Sequence, residues 1–456
     1  MSHTGLLRTT ATRRKVAAGT VGAAAALAIT GGMSLSAQES MTASPQASPV
    51  PSDDGIRHLL VADPEVSALY VYSLPDLTLT GQLEDVYFGI HNGLLVLPDG
   101  RLLFSDDNTK EVLAVTIDEA GVPTISQRVA VNSGNRLVWS SVDPQFRYFV
   151  GASQIEDSTV QVANVIDLAT FTNNEYEFEM VGEEELHAWI AGDPAVLYAS
   201  LGGEIHSFLL SDLDAGNTAP LEMVPVELGS HGAVADAAHE QFLLVTNTGF
   251  EVTDVSTGPA LYETLIPWDV DGFAGGRNSR PRLHEDGEHI FGRLSATPED
   301  PTTWADVEVT THISNIHDLT AQRFALGKGN VGFRWGISEP YVLFAGHDGV
   351  TGSAYLVDAD SASDAFGTVV GTIELDLPSG AATPGEDSTG TETYLTTLTR
   401  DGSMGFVVHG GDGLISVIET ESQTIVATIE TPSPLTGSGY AAVVERGVTP
   451  VDLFGR

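Results

Sequence analysis

Four of the 13 histidines occupy corresponding places in the sequence, each at or near the start of a short predicted strand. The four are His91, His187, His231 and His284. Imidazole nitrogens bind zinc, and three of them at about 2.0–2.1 Å from the ion, completed by a carboxylate or a water, form a common zinc site. Glu285 and Asp286 directly follow His284 and could supply carboxylate oxygens. The residue types therefore predict a zinc site, provided that the fold brings these positions together.

A packing role is the alternative interpretation of the same histidines. A residue at a repeated position implies repeated packing, and a buried histidine needs hydrogen-bond partners, which the backbone of a neighbouring structural unit can supply. Two further histidines correspond to each other, His347 in Gly-His-Asp-Gly and His409 in His-Gly-Gly-Asp-Gly. Both are predicted to lie in loops that follow second strands, where a structural role is expected.

The common catalytic signatures are absent from the sequence. It contains no G-x-S-x-G nucleophile motif, no phosphate-binding loop and no H-E-x-x-H zinc motif. A protein that binds a ligand is therefore favoured over an enzyme.

The elements that would position the histidines are short strands in a repeated unit. Residues 414–431 contain two runs in which β-branched residues alternate with polar ones, separated by a polar turn. Two more short strands, at 394–398 and 405–408, come before them. Four short antiparallel strands in about 40 residues are typical of one blade of a β-propeller.

The same unit recurs along the chain, which predicts a single all-β domain. The first strands of successive units begin near His91, Arg136, Leu186, His231, Pro281, Val331, Glu392 and Gly439. The last unit has only one strand, and the start of the chain supplies three without a fourth. We therefore expect a β-propeller of eight four-stranded blades, closed by the C-terminal strand. Seven blades is the alternative, because the unit from Pro281 to Gly327 is irregular.

This architecture gives the histidines a common location. The first strand of each blade lines the central channel of a propeller, and its start lies at the channel mouth. His187, His231 and His284 belong to three consecutive predicted blades, so they are expected to converge there. Glu185 and Asp236 are further carboxylates close to them in the sequence.

The N-terminus has the features of an export signal. Arg13, Arg14 and Lys15 precede an apolar run that is rich in Ala and Gly, and Leu35-Ser36-Ala37 offers a small-residue cleavage site. We predict a twin-arginine-like signal at residues 1–37, a Ser/Pro/Ala-rich linker at 38–54 and the propeller at 55–456. The apolar run is too short to predict a stable membrane span. The protein is expected to be periplasmic, cell-wall-associated or secreted, and to be a monomer.

The charge of the chain limits its partners. The 62 acidic residues far outnumber the 20 basic ones, and the formal net charge is −42. Such a surface repels nucleic acid and anionic lipid but attracts metal ions and basic partners. The absence of cysteine excludes disulfide bonds.

Two resemblances extend these predictions. The segment SVIETESQTIVATIET resembles the repeat of bacterial YVTN-type and lactonase-like propellers. Residues 186–188, 230–235 and 280–286 resemble segments of the periplasmic zinc metallochaperone propellers that serve zinc ABC uptake systems, whose motifs include His-His-Gly-x-Ala and Cys-Pro-x-Leu-His-Gly-Glu. Ser230 stands in place of the first His, and Arg280 in place of the Cys. The second resemblance implies zinc as the ligand and the solute-binding protein of a zinc transporter as a partner.

We therefore interpret the chain as an exported, non-catalytic binding propeller with a zinc site at the channel mouth. A protein-interaction propeller without a metal is the first alternative. A lactonase-like hydrolase that uses a metal-bound water is the second.

Overall fold

The structure is a computed structural model. It describes residues 57–88, 93–132, 136–154, 159–179, 186–227, 232–273, 275–278, 280–446, 448 and 452–455. The predicted export signal and linker lie outside the described residues. Eight antiparallel sheets follow one another along the chain, and in each sheet the strands are arranged from the channel outward. The predicted all-β propeller of eight blades is therefore confirmed.

The first four blades follow a simple order. Blade 1 contains β1 (Arg57–Asp63), β2 (Ala68–Leu74) and β3 (Leu79–Glu84). Blade 2 contains β4 (Leu95–Val96), β5 (Leu102–Asp106), β6 (Glu111–Ile117) and β7 (Pro123–Ala130). Blade 3 contains β8 (Arg136–Val142), β9 (Tyr148–Gln154), β10 (Val160–Asp167) and β11 (Thr172–Glu179). Blade 4 contains β12 (Ala188–Ala191), β13 (Val196–Ser200), β14 (Glu204–Leu209) and β15 (Glu222–Pro225), with the short helix α1 (Leu210–Asp214) before its last strand.

The remaining blades include two with divided inner strands. Blade 5 contains β16 (Ala233–Asp236), β17 (Gln241–Val245), β18 (Gly249–Asp254) and β19 (Leu261–Pro267). Blade 6 contains β20 (Arg277–Asn278), β21 (Arg282–Leu283), β22 (His289–Ser295), β23 (Glu308–Asn315) and β24 (Thr320–Lys328). Blade 7 contains β25 (Asn330–Val331), β26 (Gly336–Ile337), β27 (Tyr341–His347), β28 (Gly352–Asp358) and β29 (Val369–Leu375). Blade 8 contains β30 (Tyr394–Leu398), β31 (Met404–His409), β32 (Leu414–Glu419) and β33 (Thr424–Glu430).

The C-terminal strand closes the ring as predicted. β34 (Tyr440–Glu445) pairs antiparallel with β1 and forms the inner strand of blade 1. A side-chain bond reinforces this closure, because the backbone N–H of Leu435 donates to Asp63 Oδ2 at 2.9 Å. Closure leaves no open sheet edge between the first and last blades.

Burial explains the two kinds of strand in each blade. The middle strands are buried on both faces because neighbouring blades pack against them, and β5 is buried at every position. The outer strands face solvent, so along β7 exposed residues alternate with residues that are buried or half-buried. Large aromatic residues fill the space between blades; the Trp189 ring of blade 4 lies 6.2 Å from the Phe242 ring of blade 5.

Blades 6 and 7 differ from the others in their inner strands. β20 and β21 both pair with β22, and β25 and β26 both pair with β27. In blade 6 the break contains Pro281, which has no N–H to donate, and Arg280, whose φ of +60° is unfavourable for a continuous strand. The irregularity that suggested seven blades is thus a divided inner strand in blade 6. This inner strand begins at Arg277 and not near Pro281, as predicted.

The described helices are all short. Besides α1, they are the 3-10 helices Pro301–Asp306 and Thr436–Ser438. In the described part of the chain, no helix has the length and apolar character needed to cross a membrane.

Candidate functional site

The central channel is occupied unevenly. On one side, the C-terminal segment 452–455 lies against inner strands of the ring. On the other side, a cavity of about 220 Å³ lies between this segment and the inner strands of blades 6, 7, 8 and 1, with the start of blade 2 completing its wall. A cavity of this volume can hold a small organic molecule, although it is below the usual range for drug-sized ligands.

The C-terminal segment fills its side of the channel with backbone hydrogen bonds and apolar packing. The N–H of Val142 donates to the Leu453 carbonyl at 2.9 Å, and the N–H of Gly455 donates to the Ser140 carbonyl at 2.8 Å. Phe454 is 3% exposed, and its ring stacks on Phe242 at 6.1 Å. We call residues 452–455 the channel plug.

A glycine allows the plug to approach the wall closely. A Cβ atom at Gly93 would lie 2.0 Å from the carbonyl carbon of Gly455. Any larger residue at position 93 would therefore displace the plug from blade 2.

Three arginines line the opposite side of the channel. Arg280 lies in the break of blade 6, Arg282 is the first residue of β21, and Arg334 lies in the break of blade 7. All three line the cavity. Arg280 and Arg334 are each 8% exposed. We call these three residues the arginine cluster. The divided inner strands explain the positions of Arg280 and Arg334, because residues between two strand pieces are released from regular pairing and can turn into the channel. Arg282 remains paired with Phe291 of β22.

Aromatic rings hold the guanidinium groups of the arginine cluster. The Arg280 guanidinium lies 4.9 Å from the Phe333 ring centroid, and that of Arg334 lies 4.9 Å from the Tyr440 ring centroid. Arg282 Nη1 donates to the Trp335 carbonyl at 2.9 Å. Burial lowers the pKa of Arg334 to about 10, so the side chain is still a cation at neutral pH.

Carboxylates at the far end of the cavity are already engaged by basic groups. Arg400 Nε donates to Glu285 Oε2 at 2.6 Å, and the backbone N–H of Arg400 donates to Glu445 Oε1 at 3.0 Å. Glu445 also lies 3.6 Å from the Nε atom of Arg57. Glu285, predicted as a metal ligand, is therefore part of an ion pair in this structure.

His187 connects blades 4 and 5 at the start of an inner strand. It precedes β12 and is 5% exposed, and its Nε2 atom accepts a hydrogen bond from the N–H of Gly232 at 3.1 Å. Its ring lies 4.9 Å from that of Trp139 in blade 3. These contacts are of the kind expected from the packing alternative, and a zinc ion bound through Nε2 would have to displace the Gly232 hydrogen bond.

His284 lies at the opposite end of an inner strand. It follows β21, and its Nε2–H donates to the Glu339 carbonyl of blade 7 at 2.9 Å. Every inner strand runs in the same direction along the channel, so His284 and His187 are at different ends. The two described members of the predicted histidine set are therefore not brought together.

Asp286 joins two histidines at that far end. Its Oδ2 atom lies 3.0 Å from His284 Nδ1 and 2.8 Å from His289 Nδ1. Burial alone would lower the pKa of His284, but the Asp286 carboxylate and the two backbone carbonyls near Nε2 raise it above its ordinary value. Burial opposes the ionised form of Asp286, yet hydrogen bonds from both histidines hold its pKa well below the usual range.

The remaining predicted ligands cannot be placed. His91 and His231 lie outside the described residues. Among the residues that are described, no group of three or more His, Asp or Glu side chains is arranged to hold a metal ion. The zinc site therefore stays a prediction.

His347 and His409 are not loop residues. They are the last residues of β27 and β31, and they are 2% and 5% exposed. The prediction of a loop position was wrong because each second strand extends one residue farther than was predicted, to the histidine itself. Both rings lie edge-on to the buried Tyr394 ring, at 6.1 and 5.3 Å.

Sequence reasoning missed the arginine cluster. A signal was present, since Arg280-Pro281-Arg282 and Phe333-Arg334-Trp335 place three of only 20 basic residues within the first-strand regions of two predicted blades. Basic residues at channel positions in so acidic a chain could have indicated an internal cationic site.

Comparisons with known proteins identify the fold but not the activity. No protein-family model matches the sequence, and no curated protein matches it. Among solved structures, AztD from Citrobacter koseri is similar with a TM-score of 0.60 and 10% identity, over 85% of this chain and 98% of that one. Dihydro-heme d1 dehydrogenase NirN, in complex with DHE, is similar with a TM-score of 0.55 and 12% identity, over 87% of this chain and 76% of that one. The propeller fold implied by the resemblances is thereby confirmed.

Proposed function

We propose that this protein is an exported, non-catalytic binding propeller that takes a small ligand in its central channel. The observation that supports this proposal is the cavity beside the channel plug, which is lined by the inner strands of blades 6, 7, 8 and 1 and by the start of blade 2. Its wall contains Arg280 and Arg334, each 8% exposed. The plug fills the other side of the same channel with apolar side chains, so closing the channel does not itself require buried cations. Concave sites with a few convergent polar groups are the usual location of ligands.

Filling the cavity tests this proposal. Ala442 lines the cavity, so Ala442→Trp should occupy the ligand volume, whereas Leu261→Trp adds the same side chain on the exposed outer strand β19. Ligand-observed NMR with a library of small organic acids, alcohols and amines should detect binders to the wild type. Those signals should disappear in Ala442→Trp and persist in Leu261→Trp. A library without binders, or equal loss in both variants, would contradict channel binding.

Zinc is a second candidate ligand, at a different place. His187 begins the inner strand of blade 4, and His91 and His231 precede the inner strands of blades 2 and 5 in the sequence. The resemblance to zinc metallochaperones concerns the segments around His187, His231 and His284. His284, with Glu285 and Asp286, would have to bind zinc at the other end of the channel. If zinc binds, the solute-binding protein of a zinc transporter is the proposed partner.

Metal analysis of single variants tests the zinc proposal. After dialysis against a zinc-containing buffer, the wild type should hold close to one zinc per chain, and its affinity should fall below about pH 6.5, where histidine takes a proton. His187→Ala and His231→Ala should lose zinc, whereas His347→Ala and His409→Ala should keep it. No bound zinc in the wild type would favour the protein-interaction alternative, and turnover of lactones would favour the hydrolase.

Export is proposed to use the twin-arginine route. Replacing Arg13 and Arg14 by lysine should then block export, because that route reads the arginine pair. Undiminished export of the double variant would indicate the ordinary secretory route.

A further inference from the structure

Basic side chains are concentrated on one part of the described cavity wall. At the far end, Glu285 pairs with the Arg400 guanidinium, and Glu445 accepts from the Arg400 backbone N–H and lies near Arg57. The rest of the described wall carries the three guanidinium groups of the arginine cluster but only one carboxylate, that of Asp452. A cleft lined mainly by charge of one sign attracts ligands of the opposite sign. This part of the wall is therefore suited to receive negative charge.

Two N–H donors at the arginine cluster have no acceptor among the described residues. They are the Nε–H of Arg282 and the indole N–H of Trp335, both of which are buried. Buried polar groups in native proteins are nearly always hydrogen-bonded, so a buried donor beside a cavity indicates an acceptor supplied from outside. Both donors belong to residues that line the cavity.

The wall also contains apolar surface. The Phe333 and Trp335 rings flank the guanidinium groups, and Leu95, Val443 and Phe454 line the cavity farther from them. An inorganic anion would make no use of that surface. The combination suits an anion that is attached to a small organic body.

We infer that the cavity binds a small organic anion with at least two negative charges, carried by carboxylate or phosphate groups, through Arg280, Arg282 and Arg334. The inference rests on the proposed binding of a ligand in the channel. Guanidinium groups present paired donors that match the oxygens of either anionic group. Because the chain as a whole is strongly acidic, such a ligand would be repelled elsewhere on the protein and held only at this cluster.

A pair of nearly isosteric probes tests the charge requirement. Isothermal titration of the purified full chain with isophthalate, a planar dicarboxylate, should give a Kd at least about tenfold lower than with neutral isophthalamide, since hydrogen bonds to charged groups are the stronger ones. Titrations with citrate and with inorganic phosphate distinguish the two sources of charge. Preference for citrate assigns carboxylates, and preference for phosphate assigns a phosphate ester.

Two arginines in blade 6 provide a matched pair of variants. Arg282 Nη1 donates to the Trp335 carbonyl and Arg293 Nη1 donates to the Val331 carbonyl, both at 2.9 Å. Each has a buried Nε that lacks a partner among the described residues, but only Arg282 lines the cavity. Arg282→Met should weaken isophthalate binding at least about tenfold, whereas Arg293→Met should leave it within about twofold. Arg334→Met is the substitute if Arg282→Met fails to fold.

The possible results separate this inference from the broader proposal. Equal binding of isophthalate and isophthalamide, both lost on Ala442→Trp, would overturn the anion assignment and keep channel binding. Equal loss of binding in Arg282→Met and Arg293→Met would also overturn the assignment, because it would make the effect a structural one. Absence of binding by all probes, together with an NMR library that gives no binders, would overturn both.

Discussion

The two sides of the central channel differ in how the axial space is occupied: one side is filled by the plug, and the other contains the cavity. Eight inner strands leave an axial space that must be filled or lined. On the plug side, Leu453 and Phe454 fill it with apolar side chains, and the Leu453 carbonyl and the Gly455 N–H bond to the backbone of β8. On the other side, the divided strands of blades 6 and 7 place cations beside an open cavity. The difference indicates that the plug side increases the free energy of unfolding. We propose that the arginine side contributes less to stability and serves to bind a ligand.

Removal of the C-terminus should have the largest effect. Deletion of residues 438–456 takes away both β34 and the plug, so blade 1 loses its inner strand and the ring opens. We expect aggregation or an unfolded chain, measured by size-exclusion chromatography and circular dichroism. A shorter deletion of residues 448–456, which keeps β34, should give a folded protein with a lower melting temperature. A soluble monomer with unchanged melting after the longer deletion would refute ring closure by β34.

Truncation of the plug aromatic should come next. Phe454→Ala should destabilise the fold by about 3–5 kcal/mol, because it removes a nearly fully buried ring from a packed core. Val448 lines the cavity on the other side, so Val448→Ala should cost less than about 1 kcal/mol. Urea unfolding measures both. Similar losses for the two variants would mean that the two sides do not differ in their contribution to stability.

The contribution of His284 to stability should depend on pH. The folded-state pKa of His284 is raised, so its stabilising effect is full below about pH 6.5 and is lost as the pH rises through the folded-state value. His284→Gln should therefore cost about 2 kcal/mol near pH 6 and less near pH 9. His187→Gln, which removes the acceptor of the Gly232 N–H, is the matched variant at the other end of the channel. Urea unfolding at the two pH values measures both variants, and a cost of His284→Gln that does not fall at the higher pH would contradict the role assigned to His284.

The smallest expected effect on stability concerns Trp335. Trp335→Phe removes a buried indole N–H that has no acceptor among the described residues, so the free energy of unfolding should change by less than about 1 kcal/mol. Isophthalate affinity should nevertheless fall several-fold, because the ligand loses a donor. A large loss of stability with unchanged affinity would assign Trp335 to packing alone.

Features that depend on local periodicity were predictable from the sequence. The β-branched alternation of β32 and β33 and the missing fourth strand at the N-terminus led directly to eight blades and to closure by β34. The position of His284 was not predictable in the same way. A break at Arg280 and Pro281 shifted the register of blade 6, so a histidine that aligned with strand starts in the sequence lies at a strand end.

The candidate site depends on long-range placement, which local patterns do not encode. The candidate site combines the arginine cluster, which comes from two blades, with the channel plug. From the sequence alone, the plug could lie against any inner strand. No periodic signal marks Leu453 and Phe454 as channel-filling residues, since they belong to no predicted strand. Only the closed ring brings the plug, Tyr440 and the arginines to one axis.

The closure of blade 1 has a consequence for biosynthesis. Asp63 and Leu435, which bond across the closing seam, are 372 residues apart in the chain. A ribosome that adds about 5–20 residues per second needs roughly 20–75 s to make the second after the first. During that interval the nascent β1 has an unpaired edge that could join another polypeptide. The native ring can form only after β34 has been synthesised, so a chaperone that shields the edge of β1 is expected to accompany synthesis, and chains terminated before β34 should be degraded rather than accumulate.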